Sequence, residues 1–422
     1  MTPIALAFIR HGDLLMVLGS PSGTLHDLRA MGTFRPDWKG IDDAARSISA
    51  SCQLADQSGE MTADVLRTIR RQGAWLFDEL LPFEAKAWLR RPSGATLTLS
   101  LDPELLHIPF ELLHNGETFL AEQWAMGRVV QTDVDPSLRR KTKAGEKLSI
   151  HIVADPDGTL DEAYVEGDTL IRRMARSSRV AASMRAGDVD PGHLRHHLRD
   201  MDILHLAGHV DREGYRMADG HFGAEAVRRL SGTPDLPLMV FANGCGSVRT
   251  DGDPLLLAWV RAGVRHIIGP LHALPDRLGL LFADAFYREL MAGRPIGDAM
   301  LRARQSVARQ VGNGTIPWAA YVLYGDPATI YFPVLARPEP AAPTVEPATR
   351  LAPAASFPTP EVVRSAPVET VLPSARPWYS DPALLLLLLV AVSTAFFCAG
   401  LLFNDDSDDF SSFPVLGNES GQ

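Results

Sequence analysis

The sequence predicts an α/β fold, a sheet flanked by helices, preceded by an N-terminal α+β region and followed by a single transmembrane helix. Three observations predict it. From residue 147 short apolar runs alternate with amphipathic segments, the signature of strands paired through helical crossovers. Two of those runs, 203–209 and 236–243, are largely apolar and bounded by Gly, Pro and Asp, as buried strands are. Residues 383–403 form an uncharged run with six consecutive leucines, and at 1.5 Å per residue such a helix spans about 32 Å, the thickness of a bilayer's hydrocarbon layer.

The elements follow in chain order. Residues 3–9 and 14–18 are apolar around Arg10-His-Gly-Asp13, which predicts a β-hairpin with His-Gly at its turn. Residues 40–55 and 61–80 carry helical spacing, the second with Val65, Ile69, Leu76 and Leu80 on one face. Residues 95–101 alternate strictly, as a half-buried strand does. Apolar segments follow at 105–113, 119–120 and 126–130, and the polar stretch 132–147 marks a domain boundary. Beyond it we expect a strand over 148–154, a turn at Asp155-Pro-Asp-Gly158 and a helix over 161–177. A strand over 180–184 and a helix over 191–200, with proline at its start, come next. The two central strands are separated by a helix over 220–230. Helix 254–262, strand 264–270, helices 277–291 and 296–311 and strand 318–324 complete the domain, 147–333.

Residues 336–381 are crowded with Pro, Ala, Thr, Ser and Glu and lack periodicity. Such a segment builds no core. As a linker its 46 residues span roughly 40 Å as a coil and up to about 140 Å as a polyproline helix. Trp378 and Tyr379 suit a membrane interface. Arginines Arg364 and Arg376 precede the apolar run, and the tail 404–422 is acidic with no Lys or Arg, so the excess of positive charge places the large N-terminal part in the cytoplasm. The expected location is the cell's inner membrane, by a single pass. The first twenty residues lack the basic start and unbroken apolar core of a secretory signal, because Arg10, His11 and Asp13 interrupt them.

Composition narrows the function. Of 422 residues 46% are hydrophobic, enough for two or three domains. The net charge is −10 with no basic block interleaved with aromatics, which argues against a nucleic-acid partner. Cys52, Cys245 and Cys398 are few, distant and odd in number, so they form no disulfide framework, and their spacing to His suggests no zinc site. No metal and no cofactor is expected.

Chemistry concentrates where the two central strands end. His209 closes the first, and Cys245 follows the second. If the strands are parallel neighbours, about 4.8 Å apart, an imidazole and a thiol meet at the carboxyl edge of the sheet, where α/β proteins bind ligands. A Cys/His dyad has a defined use: His takes the thiol proton, the thiolate attacks a carbonyl and the imidazolium protonates the leaving amine. An isolated His on a strand or a free Cys is more often a packed core residue. That is the expectation for His205, in the middle of the strand, and for Cys52.

Several ordered motifs strengthen the functional reading. They are Leu105-Leu-His-Ile-Pro-Phe-Glu-Leu-Leu113, His151-Ile-Val-Ala-Asp-Pro156, Asp202-Ile-Leu-His-Leu-Ala-Gly-His209, Val240-Phe-Ala-Asn-Gly-Cys-Gly-Ser247, Ala262-Gly-Val-Arg-His-Ile-Ile268, Ala285-Phe-Tyr-Arg-Glu-Leu290 and Trp318-Ala-Ala-Tyr-Val-Leu-Tyr-Gly-Asp-Pro327. Over residues 76–332 the chain resembles the CHAT family, caspase-like proteases of the clan that includes caspases, separase and gingipains. The resemblance implies a caspase-like sheet and a cysteine endopeptidase, with Cys245 as nucleophile and His209 as acid and base. It also implies an oxyanion hole from the backbone N–H groups of Val210 and Cys245. The family usually has Gly where this chain has Val210, and a β-branched residue disfavours positive φ. Separase-like members carry an acidic residue after the next strand that receives a basic side chain preceding the cleaved bond. Asp276 aligns with it, with His272 in place of the usual tryptophan, and a helix N-cap is the alternative role for Asp276.

The function implied is a membrane-tethered protease that cleaves a partner protein, for example a gasdermin-like pore former encoded nearby, in bacterial defence or cell death, with an activator or sensor as a further partner. The rival is an inactive caspase-like interaction module at the membrane. Two lesser features complete the inventory. Arg10-His11-Gly12 resembles the opening of histidine phosphatases, but an apolar run follows it instead of a phosphate loop. Residues 248–253 form either an activation segment or an ordinary solvated loop.

Overall fold

In the computed structural model the described residues are 2–58, 61–91, 94–132, 147–198, 201–230, 236–244, 247–248, 255–272, 276–312 and 320–333. The linker 336–381, the apolar run 383–403, the tail 404–422, the loop 249–253 and Cys245 lie outside them. Among the described residues no helix is long and apolar enough to cross a membrane.

The chain opens with a hairpin of β1 (Ile4–His11) and β2 (Leu14–Ser20). Its turn is Gly12-Asp13 and not His-Gly: His11 pairs with Leu14, and Gly12 takes the left-handed φ of +57° that a two-residue turn requires. His11 is exposed at this end, and Arg10 stacks on Trp38 at 4.1 Å and pairs with Glu104 at 3.4 Å. Strand β3 (Arg29–Phe34), which sequence pattern does not announce, pairs antiparallel with β2. Helices α1 (Trp38–Ser58), α2 (Ala63–Leu80) and α3 (Phe83–Leu89) follow, and Thr62 caps α2 by accepting the Val65 N–H.

Strand β4 (Thr96–Leu101) is buried almost throughout, contrary to its alternating sequence. It lies between β1 and β5 (Ala125–Val130), parallel to both, and this interior position buries even Thr98 and Ser100. Two short 3-10 turns at Pro103–Leu105 and Phe110–Leu112 and the single-turn α4 (Leu120–Gln123) connect them.

The second half supplies β6 (Leu148–Ala154), α5 (Asp161–Met174), β7 (Val180–Ala186), α6 (Pro191–His197) and β8 (Ile203–Ala207). A two-stranded ribbon, β9 (Tyr215–Arg216) and β10 (His221–Phe222), precedes the short α7 (Ala224–Arg228). The ribbon takes up the first residues of the helix expected over 220–230. Then come β11 (Met239–Asn243), α8 (Leu255–Ala262), β12 (His266–Pro270), α9 (Asp276–Met291), α10 (Ile296–Val311) and β13 (Tyr321–Tyr324).

Eleven of these strands form one mixed sheet in the order β3-β2-β1-β4-β5-β13-β12-β11-β8-β6-β7. Strand β13 returns from the C-terminal half to pair antiparallel with β12 and parallel with β5, so the regions 1–132 and 147–333 share a single sheet across the boundary expected at 132–147. Ile152, His205 and Phe241 are register partners on β6, β8 and β11 and lie on one face, against α5 and α9. The residues between them, His151, Leu204 and Val240, face the other way, where His193 of α6 meets His151.

Candidate functional site at the carboxyl edge of the central strands

The two central strands are parallel neighbours, in register from Met239↔Ile203 to Asn243↔Ala207. Both chains therefore leave the sheet at one level. Strand β8 ends at Ala207, two residues before the expected close, and the Gly208 N–H donates to the Asn243 carbonyl at 3.3 Å, which carries the two exiting chains a step further together. Glycine is required on both. A Cβ on Gly208 would stand 2.8 Å from Pro156 Cδ, and one on Gly244 would stand 2.4 Å from Val210 Cγ2 and 2.7 Å from the Gly208 carbonyl. Gly244 is thus packed against the His209-Val210 turn.

His209 is part-exposed on the rim of a pocket that Ala163, Glu166, Val210, Asn243, Gly244 and Pro270 also line. Its backbone is held by the ribbon. The Arg216 N–H donates to the His209 carbonyl at 3.0 Å and the Asp211 N–H to the Gly214 carbonyl at 3.0 Å, bracketing an antiparallel bridge between Val210 and Tyr215. In a bridge so bracketed the N–H of the central residue points away from its partner strand. Among the described residues the Val210 N–H has no hydrogen-bond partner. The residues other than glycine with positive φ are Asp155 and Asp188, so Val210 carries no left-handed strain among the described residues. Val210 thus avoids the positive φ that a β-branched residue disfavours.

Beneath the pocket lies a buried polar chain that includes residues sequence reasoning passed over. Glu166 of α5 accepts hydrogen bonds from His205 Nε2 at 2.7 Å and from Asn243 Nδ2 at 2.6 and 2.7 Å. The Asn243 Oδ1 in turn accepts from the Tyr321 hydroxyl at 2.5 Å. His205 is fully buried, stacks on Phe241 at 4.9 Å and has Tyr287 OH 3.3 Å from Nδ1, which places it in the core as expected. The signal for Glu166 was a carboxylate on the same helical stripe as Ala163, Leu170 and Met174. This chain ties α5, β8, β11 and β13 together directly under His209. Replacing Glu166 by Ala strands the His205 and Asn243 donors, at about 1–3 kcal/mol each. A urea-unfolding measurement is expected to show a loss of at least about 2 kcal/mol.

Asp276 is the first residue of α9, so the helix begins one residue earlier than expected; its side chain lies outside the described residues. His272 is 7% exposed, and among the described residues neither ring nitrogen has a hydrogen-bond partner. Burial, and secondarily the charge of Arg128, pushes its pKa down to about 4. The folded protein thus keeps His272 neutral where the unfolded chain would protonate it. Stability is expected to fall as pH drops from about 6.5 to about 4, at up to about 1.4 kcal/mol per pH unit from this group. Urea midpoints across that range, with His272→Phe as the reference that flattens the slope, check it.

Comparison with known proteins fits this architecture. Two crystal structures of the Saccharomyces cerevisiae separase-securin complex match with TM-scores of 0.50 and 0.51 at 10% identity. They cover 77% and 76% of this chain, which itself spans 30% of the length of the separase chain. The Arg-specific cysteine proteinase gingipain R matches with a TM-score of 0.44 at 12% identity, over 69% of this chain and 76% of that one. No curated protein matches by sequence. The mixed sheet flanked by helices is like that of the separase structures, and the CHAT domain pattern matches residues 70–326, more than half of the sequence. The chain belongs to the CHAT domain family.

Proposed function

We propose that this protein is a cysteine endopeptidase, with Cys245 as nucleophile and His209 as general acid and base. The observation that carries this reading is the parallel register of β8 and β11, ending at Ala207 and Asn243. His209 and Cys245 each follow two residues later, within about 7 Å of chain from the same sheet edge. The part-exposed imidazole takes the thiol proton, and the thiolate attacks the scissile carbonyl. The N–H groups of Val210 and Cys245 hold the oxyanion, a use supported by the outward-turned Val210 N–H, which has no partner among the described residues. The imidazolium then protonates the leaving amine, and His209 activates the water that releases the acyl group. No cofactor takes part.

The substrate of this scheme is a partner protein, for example a gasdermin-like pore former, in bacterial defence or cell death. In the same proposal residues 383–403 anchor the chain in the inner membrane, the linker 336–381 tethers the protease on the cytoplasmic side, and an activator or sensor controls it. Co-expression of the full chain with the proteins encoded beside it tests the activity. A fragment that appears with wild type and not with Cys245→Ala or His209→Ala supports the reading; identical patterns in all three count against it. The new N-terminus of that fragment names the residue before the cut. Asp276 is assigned to hold a basic side chain there, and Asp276→Asn is expected to lower kcat/KM on an Arg or Lys substrate about 100-fold. Equal rates on Arg and neutral substrates in wild type would leave Asp276 as a helix-terminal residue. Carbonate extraction tests the anchor: full-length protein should stay with membranes, and a chain ending at residue 335 should not.

A further inference from the structure

Helix α6 carries His193 and His197 four residues apart, on one face, and that face meets His151 of β6. The three rings form a cluster at the edge of the sheet, with centroids 4.3 Å apart for His193 and His197 and 5.6 Å for each of these with His151. It lies on the face of the sheet opposite His205 and Glu166. None of the three is used by the proposed dyad.

We propose that His151, His193 and His197 form a binding site for a divalent transition-metal ion, Zn²⁺ first among them. The Nε2 atoms of His151 and His193 face each other at 3.4 Å. Two nitrogens bound at 2.0–2.1 Å to one tetrahedral ion stand about 3.3–3.4 Å apart, so this pair is already at ligand spacing. The remaining nitrogen of His151, Nδ1, is 2.8 Å from Ser183 Oγ, the second hydrogen bond that fixes a ligating imidazole in its tautomer and orientation. Histidines at i and i+4 on a helix are a recurrent zinc-binding pair, and a third imidazole from a neighbouring strand completes a three-ligand site with an open fourth position.

Among the described residues no three donors converge on one point as the rings stand. His197 supplies the third by turning about its own side-chain bonds, for which its part-exposed position leaves room. Arg185, whose charge reaches His151 and His193, opposes a cation, and Asp190 beside His193 favours one.

The test uses the untagged full-length chain carrying Cys245→Ala, so that the thiol of the proposed dyad binds no metal, stripped with EDTA and dialysed against Zn²⁺. One equivalent bound at micromolar Zn²⁺ is expected. His193→Ala and His197→Ala, both part-exposed and so tolerated by the fold, should each weaken binding at least about 100-fold, and Ser183→Ala roughly 10-fold. His196→Ala, one residue away on the exposed side, should leave it unchanged. Co²⁺ should give the visible absorption of a four-coordinate nitrogen site in the parent and lose it in His193→Ala. Failure to retain one equivalent at micromolar Zn²⁺, or retention indifferent to both His193→Ala and His197→Ala, overturns the proposal and leaves an imidazole cluster joined by a hydrogen bond.

Discussion

Replacing Glu111 with alanine is expected to cost about 3–5 kcal/mol of folding stability, because it leaves a buried guanidinium without its counter-charge. Arg128 is fully buried in β5. Its Nε donates to Glu111 Oε1 at 3.1 Å, its Nη2 donates to Glu111 Oε2, and its Nη1 donates to the Leu106 carbonyl at 3.0 Å. The pair is a fork on a carboxylate, the geometry in which a buried charge is best compensated. Arg304 of α10 is also buried, at 1% exposure, and burial pushes its pKa down to about 10 while Glu111 acts in the opposite direction. Urea unfolding followed by circular dichroism should show it, with Glu111→Gln intermediate because an acceptor remains. A loss under about 1 kcal/mol in Glu111→Ala would mean that the arginines are compensated elsewhere.

The second large effect is on chemistry. Cys245→Ala and His209→Ala should each reduce cleavage by roughly four orders of magnitude or more, and the double variant should be no slower than either single one, because residues of a catalytic unit fail together. The fold should be indifferent to His209→Ala. The ring is part-exposed and makes no side-chain hydrogen bond among the described residues, while the anchoring contacts of this turn run through its backbone carbonyl. A His209→Ala variant that retains activity within about 10-fold would remove the imidazole from the mechanism.

Much of this was legible in the sequence, and the part that was not has physical causes. The parallel pair β8 and β11 could be anticipated because strands buried on both faces read as unbroken apolar runs. Helix α10 was placed at its observed ends because apolar periodicity begins after Pro295 and stops before Gly312. Strand β4 misled because its alternation of Thr and Leu describes a half-solvated sheet, and only the flanking β1 and β5 make it interior. The return of β13 to β5, which joins the two halves of the sheet, leaves no local trace, since register between distant strands is set by packing. At the candidate site, the position of His209 beyond the end of β8 was legible from its place after an apolar strand. Glu166, Asn243 and Tyr321 were not assigned roles, because they meet only when three separate elements are brought together. The φ of Val210, which the sequence does not give, is not in the positive region.

Alkylation of the full-length protein by iodoacetamide at pH 7, read cysteine by cysteine by peptide mass spectrometry, tests most directly whether the end of β11 is a cysteine-hydrolase centre. Cys52 provides the internal reference, since burial pushes its thiol up to about 12 and should leave it unlabelled until the protein unfolds. The proposed dyad predicts rapid labelling of Cys245, slowed about 10-fold or more by His209→Ala, because the imidazole is what holds the thiolate form. Labelling of Cys245 at the rate of an ordinary exposed thiol, unchanged by His209→Ala, would contradict it.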